Sequence, residues 1–152
     1  MKRFGFPLET LQKLRRRRRE SCELAFSSAR MRRDRQAADL GEVERLRREA
    51  EEDWRRALPE RGPVDVDDLR ARRAWVSALD RRRADLTHAL ARAEQACEAR
   101  RLELLEAARA EKVLERLRER RHEAWSLDAS REEQAAFDEA GLAGRGRQEV
   151  AP

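Results

Sequence analysis

The chain has 152 residues, enough for one domain, and 44% of them are charged while only 5% are aromatic. This composition excludes a thick globular core and leaves an extended helical chain or a disordered one; 100 of the 152 residues are the strong helix formers Ala, Glu, Lys, Leu and Arg, which favours helix. The net charge of +5 is uneven, since residues 1–33 alone carry a net +8, and this indicates an acidic or phosphorylated partner.

The first predicted helix covers about residues 7–58, where Pro7 suits a first turn and Gly41 is the only later glycine. Its apolar residues recur at alternating steps of three and four, which is the heptad pattern of a coiled coil. The stripe consists of Phe4, Leu8, Leu11, Cys22, Ala25, Ala29, Val43, Leu46, Ala50 and Ala57. Five consecutive arginines, Arg15–Arg19, interrupt it.

A turn is predicted over about residues 59–66, because proline and glycine cluster there. A second helix follows over about residues 67–125 or beyond, and aspartates suited to capping stand at its start, namely Asp65, Asp67 and Asp68. Its heptad stripe consists of Leu69, Val76, Leu79, Leu86, Leu90, Ala93, Cys97, Leu104, Ala107 and Leu114. Residues 141–152, with three glycines and a proline, are predicted to form a flexible tail.

Two long helices joined by a short turn predict an all-α fold, a long antiparallel two-helix coiled-coil hairpin over residues 1–140. Reflection about residue 62 makes the numbers of facing residues sum to about 124. This register brings Leu46 to Leu79 and Leu11 to Leu114, so that apolar residues meet. Residues beyond about 121 would then have no partner in the hairpin.

The sequence offers no signal for catalysis or for a bound ion. Cys22 would face residue 102, so a disulfide with Cys97 is not expected, and both are interpreted as small seam residues in a reducing compartment. With His88 and His122 they form no zinc pattern, and carboxylates on a hairpin have no cleft, so we expect no metal, no cofactor and no enzyme activity. A soluble cytoplasmic protein is expected, because no apolar run approaches the roughly 20 residues that span a bilayer.

The arginine run allows several interpretations. In the predicted register it lies near Glu103, Glu106 and Glu111, and five consecutive helical residues point all around the axis, so some arginines can pair while others face solvent. The run is a partly paired solvated surface, a docking face for an acidic protein, or a site for nucleic acid or another polyanion. Nucleic acid is least favoured, since neither interleaved aromatics nor a recognition helix in a compact fold is present. A generic dimerising scaffold is a further alternative.

The tryptophans mark further candidate contacts. Trp54 and Trp75 lie near the predicted turn, where they either cover the end of the hairpin or anchor a partner. Trp125 lies past the predicted paired zone and is a weaker docking candidate.

Three segments resemble the FliJ family of flagellar export proteins: KRFGFPLETLQKLRRRRRE at residues 2–20, EAARAEKVLERLRERR at 106–121 and REEQAAFDE at 131–139. The resemblance extends to about residue 140, and the region between the segments is generic coiled coil. It implies a fold similar to the central stalk of rotary ATPases and a non-enzymatic part in the flagellar type III export apparatus.

The resemblance also implies partners: the hexameric export ATPase FliI, whose ring the joined chain ends enter, the membrane export gate protein FlhA, and export chaperones. No nucleic acid is implied, and the protein would sit at the inner face of the cell membrane through its partners only. The ATPase-docking end would consist of Phe4, Phe6, Leu8, Leu11, Leu14, Arg15, Arg16, Arg17, Arg18, Arg19, Val113, Leu114, Leu117, Arg118 and Arg121. The gate patch would consist of Trp75, Leu79 and the nearby Trp54, and the sequence departs from the family pattern along that face at Arg82 and Leu86.

Overall fold

The computed structural model describes residues 3–58, 63 and 65–148, with side chains to residue 140. It contains two long helices, α1 at Glu9–Ala57 and α2 at Val66–Gln148, packed against each other. The predicted fold class, an all-α helical hairpin, is confirmed. Within the described ranges, neither helix has a stretch long and apolar enough to cross a bilayer.

The start of α1 is set by a turn that contains proline. The backbone carbonyl of Phe6 accepts a hydrogen bond from the amide of Glu9, with 3.1 Å between oxygen and nitrogen. The carbonyl of Leu8 likewise accepts one from the amide of Gln12 at 2.9 Å. Pro7 lies inside this turn, so α1 begins two residues later than predicted. Glu9 stands in the first turn, where a negative charge stabilises the positive end of the helix dipole.

Asp65 caps α2 as the sequence predicts. Its carboxylate accepts the backbone amides of Asp67 and Asp68 at 3.0 and 3.1 Å, which satisfies two of the donors left unpaired at a helix start. The predicted turn at 59–66 falls between Ala57 and Val66, the observed ends of the two helices. Its residues 59–62 and 64 lie outside the described residues.

The structure differs from the sequence prediction at the end of α2. The helix continues to Gln148 and so covers the first eight residues of the predicted flexible tail. Glycines at 141, 144 and 146 each weaken a helix by about 1 kcal/mol but do not break it as proline does, which explains the difference. The rest of that tail, residues 149–152, lies outside the described residues.

Two compact units divide the chain, and each contains part of both helices. The turn unit is Glu20–Leu105. Its core is an apolar cluster with Leu40, Leu46 and Val76 packed around it, and the buried members are Val43, Ala50, Leu79 and Leu86. The contact of Leu46 with the cluster that holds Leu79 agrees with the predicted pairing.

Polar contacts across the turn unit fix its register. Arg72 donates to the carbonyl of Asp53, Arg47 pairs with Asp80, and Arg83 pairs with Glu44 at 3.3 Å. Residue numbers rise on one helix as they fall on the other, so the helices are antiparallel. The paired numbers sum to 125–127 rather than the predicted 124, a shift of one to three residues.

The terminal unit is Met1–Arg19 with Glu106–Pro152. Its buried side chains are Phe6, Ala107, Glu111 and Leu114. Its helices are also antiparallel, since Gln12 contacts Arg118 and Arg19 contacts Glu111. In the described parts of the turn unit, by contrast, the buried core contains no charged residue.

Pairing in the terminal unit extends further than predicted. The ring of Phe4 packs edge-on against His122 at 5.0 Å and lies 5.8 Å from the ring of Trp125. The prediction that pairing ends near residue 121, with Trp125 beyond it, is therefore wrong. The reflection rule places residue 120 opposite Phe4, but contacts within α1 of this unit already depart from it, since Gln12 with Arg118 and Arg19 with Glu111 each sum to 130; the shifted register therefore carries the pairing past residue 121.

Both cysteines are free and buried in the turn unit, as predicted. Cys22 and Cys97 occupy heptad positions of α1 and α2 and fill the seam as small apolar residues.

Candidate functional site

The arginine run occupies about one and a half turns of α1 in the terminal unit. Because consecutive helical residues are about 100° apart, the five side chains point in every direction around the axis. Arg15 to Arg18 are exposed, whereas Arg19 is partly buried against α2. The structure thus divides a uniform stretch of sequence into side chains with different surroundings.

Glu111 on α2 is the partner that holds part of the run. Its side chain is 10% exposed, and its carboxylate lies 2.7 Å from Nε of Arg19 and 3.9 Å from Nε of Arg16. A carboxylate buried at a seam position needs such a cation, since an unpaired buried charge is costly. Of the three glutamates expected near the run, Glu111 is confirmed as a partner, while Glu103 pairs with Arg100 on its own helix.

The other three arginines of the run, Arg15, Arg17 and Arg18, make no ion pair with any residue that the structure describes. The fold therefore does not use their charge. Glu20–Leu105 contains 19 Lys and Arg against 19 Asp and Glu, so the whole net charge of +5 belongs to the terminal unit. Unused positive charge is concentrated on this unit.

One side of the terminal unit is a polar face with internal contacts. Gln12 accepts a hydrogen bond from Arg118 at 3.1 Å, and Lys13 lies 2.9 Å from Glu9. Lys13 donates a hydrogen bond to the Glu9 carboxylate, and this bond together with the positive charge of Lys13 lowers the pKa of the Glu9 carboxyl. A cavity of about 160 Å³ on this side is lined by these residues together with Arg16, Glu111 and Glu115. Charges here largely compensate one another.

The other side is different, and we call it the leucine–arginine face. Helical spacing places seven residues there: Leu11, Leu14, Arg15, Arg18, Val113, Leu117 and Arg121. Leu14 and Val113 are 61% and 64% exposed. Apolar side chains in water beside arginines without ion pairs are typical of a surface that binds a partner rather than one that stabilises the fold.

Several predicted docking residues are instead internal. Phe6 and Leu114 are buried, Leu8 is half-buried, and Phe4 contacts His122 and Trp125. Their role is to hold the chain start against α2. His122 and Trp125 were not predicted to pair with the chain start, although their spacing from Arg118, at steps of four and three, continues the heptad pattern and signals this contact.

The candidate gate patch is not one surface. Leu79 is only 4% exposed and belongs to the apolar cluster, so it cannot offer its side chain to a partner. Trp75 is 53% exposed and lines a cavity of about 150 Å³ with Leu46 and Ala50. Trp54 lines a separate cavity of about 390 Å³ with Val76, on the opposite side of the helix pair. Burial therefore removes Leu79 from the patch, and the two tryptophans face different directions.

Comparison with known proteins gives one finding. The family described as FliJ, flagellar FliJ protein, matches residues 4–149. No curated protein and no solved structure matches the chain.

Proposed function

This chain belongs to the flagellar FliJ protein family, and we propose that it is a non-enzymatic stalk of the flagellar protein export apparatus. In this proposal the terminal unit docks in the ring of the export ATPase FliI, the turn unit contacts the membrane export gate protein FlhA, and the protein also takes part in handling export chaperones. The protein works in the cytoplasm, at the membrane surface through these partners.

The leucine–arginine face supports the ATPase contact. Arg15 and Arg18 make no ion pair with the residues that the structure describes, and Leu14 and Val113 expose apolar surface. A ring that supplies carboxylates around an apolar recess would pair the cations and remove the apolar side chains from water. Long-range attraction to the basic unit would also speed the encounter.

The charge contribution is tested by retention of the export ATPase on the immobilised full chain. We expect the variant R15E/R17E/R18E to bind at least about tenfold more weakly, because each reversal turns attraction into repulsion. The matched control is R48E/R81E/R82E, which reverses three exposed arginines of the turn unit that have no ion pair in the described residues. Unchanged binding of the first variant at moderate salt would exclude docking through these charges.

The apolar contribution is tested separately with L14S/V113S. We expect weaker ATPase binding that, unlike the effect of the arginines, persists at high salt, where screening leaves apolar burial intact. Leu24 is also exposed, on the outer side of α1 in the turn unit, so L24S is the control. Equal binding of L14S/V113S and wild type would leave Leu14 and Val113 without a role in docking.

The gate contact is assigned to Trp75, the more exposed of the two tryptophans near the turn. W75A is expected to reduce retention of the export gate protein, since a large aromatic anchor contributes much of a small interface. W54A, on the opposite side, is the comparison. A greater loss with W54A would move the gate surface to the other side of the turn unit.

A further inference from the structure

Among the residues that the structure describes, the last part of α2 has no partner helix in the terminal unit. Residues 126–140, which we call the α2 extension, continue the helix past Trp125, and every side chain from Ser130 to Ala140 is exposed. Leu127 and Phe137 are 61% and 74% exposed. Helical spacing places them on one side, with Ser130 and Gln134 between them. Large apolar side chains aligned in water on a helix call for a covering surface.

The charge of the extension is opposite to that of the leucine–arginine face. It holds five Asp and Glu against one arginine, a net −4. Asp128 is 3.5 Å from Arg131, whereas Glu133 and Asp138, which flank the side of the helix that carries Leu127 and Phe137, make no ion pair within the described part of the chain. Unpaired carboxylates and exposed apolar residues on one segment therefore match unpaired arginines and exposed leucines on another segment of the same unit.

The two surfaces cannot meet within one molecule. The extension and Val113 lie on the same continuous helix, and an α-helix carries residue 130 about 25 Å along its axis from residue 113. The extension is about 22 Å long, sufficient to cover the roughly 12 Å between Val113 and Arg121 on another molecule. Complementary surfaces on one chain that cannot meet internally can meet in a two-fold symmetric pair, where each is used twice.

We propose that the α2 extension of one molecule docks on the leucine–arginine face of a second copy, and that the reciprocal contact forms at the same time. Leu127 and Phe137 pack against Leu14 and Val113, and the carboxylates of Glu133 and Asp138 pair with Arg15 and Arg18. The inference does not rest on the proposed export function. It adds a consequence to that function: the paired form covers the face assigned to the ATPase, so self-association and ATPase docking compete.

The test is the molar mass of the full chain in solution, measured by sedimentation equilibrium as a function of concentration and salt. The molar mass of the wild type is expected to rise with protein concentration from 17.8 kDa toward twice that value. The rise should occur at lower concentration in low salt, where exposed charges are least screened. R15E/R18E and E133R/D138R are each expected to raise the dimer dissociation constant at least about tenfold, because each places like charges in both contacts.

Mixing the two variants is the decisive step. In the mixed pair the reversed face of one molecule meets the reversed extension of the other, and the two unaltered surfaces meet as well, so both contacts become attractive and the mixture is expected to dimerise like wild type. R81E/R82E, with charges reversed in the turn unit, is expected to dimerise normally, and F137D to dimerise poorly while keeping its helical circular dichroism. A monomeric wild type at about 100 μM in low salt, where attraction is strongest, would overturn the proposal. So would a dimer that neither variant weakens, or a mixture that fails to recover.

Discussion

Arg47 and Arg83 in the turn unit each reach an acid of the other helix at the protein surface, whereas Arg19 in the terminal unit reaches a carboxylate inside the packing. Arg47 and Arg83 pair with these acids beside the apolar cluster of the turn unit, whose members are all uncharged. Arg19 instead neutralises Glu111, which occupies a heptad position of the kind that holds apolar residues in the turn unit. Two parts of the same helix pair therefore use ion pairs for different purposes.

This difference separates stability from specificity. Exposed ion pairs contribute about 0–1 kcal/mol, so the turn unit depends on its apolar cluster. A buried pair contributes little net stability, but it makes other registers costly because each would leave a charge unpaired. The terminal unit thus has a thinner apolar core, one pair that fixes alignment, and a surplus of positive charge that remains for binding. Each of the following predictions tests one side of this comparison.

The largest effect is expected from Leu79→Ala in the apolar cluster. Removing the buried side chain should lower the free energy of unfolding by about 3 kcal/mol, since both transfer energy and a cavity are involved. Urea unfolding followed by circular dichroism measures it. Leu24→Ala, on an exposed side chain of the same unit, should change stability by less than about 0.5 kcal/mol. A larger loss for Leu114→Ala in the terminal unit would reverse the comparison.

A smaller loss, about 2 kcal/mol, is expected from Arg19→Leu, because it leaves Glu111 buried with Arg16 as a more distant cation. The double variant R19L/E111L should recover to within about 1 kcal/mol of wild type, since two apolar residues can replace a buried pair. Arg15→Leu is the control, an arginine with no ion pair in the described chain. If the double variant were as unstable as R19L, the pair itself would be a major source of stability.

Asp65→Ala should cost about 1 kcal/mol through loss of the cap on two α2 amides. Urea unfolding again provides the measurement. Asp85→Ala on the exposed middle of the same helix is the matched control and should have little effect. Equal stability of the capped and uncapped proteins would mean that the packing of the turn unit alone determines where α2 begins.

The sequence was sufficient for the architecture because the signals were local. Proline and glycine near residue 62 separate two long runs with a heptad pattern, and Asp65 stands where a cap is needed. The heptad pattern also placed Leu79 in the seam, and the structure agrees; its place in a surface patch came from family resemblance by position. The heptad pattern and the family resemblance conflicted at Leu79, and the buried position of its side chain agrees with the heptad pattern.

Other features required three-dimensional information. Periodicity identifies which residues face the seam but does not specify the register between the two helices, so the shift of one to three residues could not be predicted. The contact of Phe4 with Trp125 follows from the shifted register of the terminal unit, where Gln12 lies at Arg118 and Arg19 at Glu111. The sequence indicated that some arginines of Arg15–Arg19 would pair, but the choice of Arg19 follows from the rotation of α1 about its axis relative to Glu111. A small rotation would have selected a different arginine.

The smallest effect is expected from pH acting on exposed ion pairs. Hydrogen bonds from Arg45 and Arg101, with their charges, lower the pKa of Glu42 and Glu98 below the ordinary value of 4.5. The stabilisation by each pair is therefore complete above about pH 4.5 and is lost as the pH falls through the lowered pKa in the folded protein.

The measurement is the urea midpoint of wild type and E42Q/E98Q between pH 7 and pH 3. Wild type should lose slightly more stability than the variant over this range, and the difference should shrink at about 1 M salt, where the screening length is about 3 Å. E132Q/E139Q, which removes two carboxylates without ion pairs in the described residues, should behave like wild type. A pH-dependent loss in E42Q/E98Q as large as that of wild type would mean that the acid sensitivity arises elsewhere.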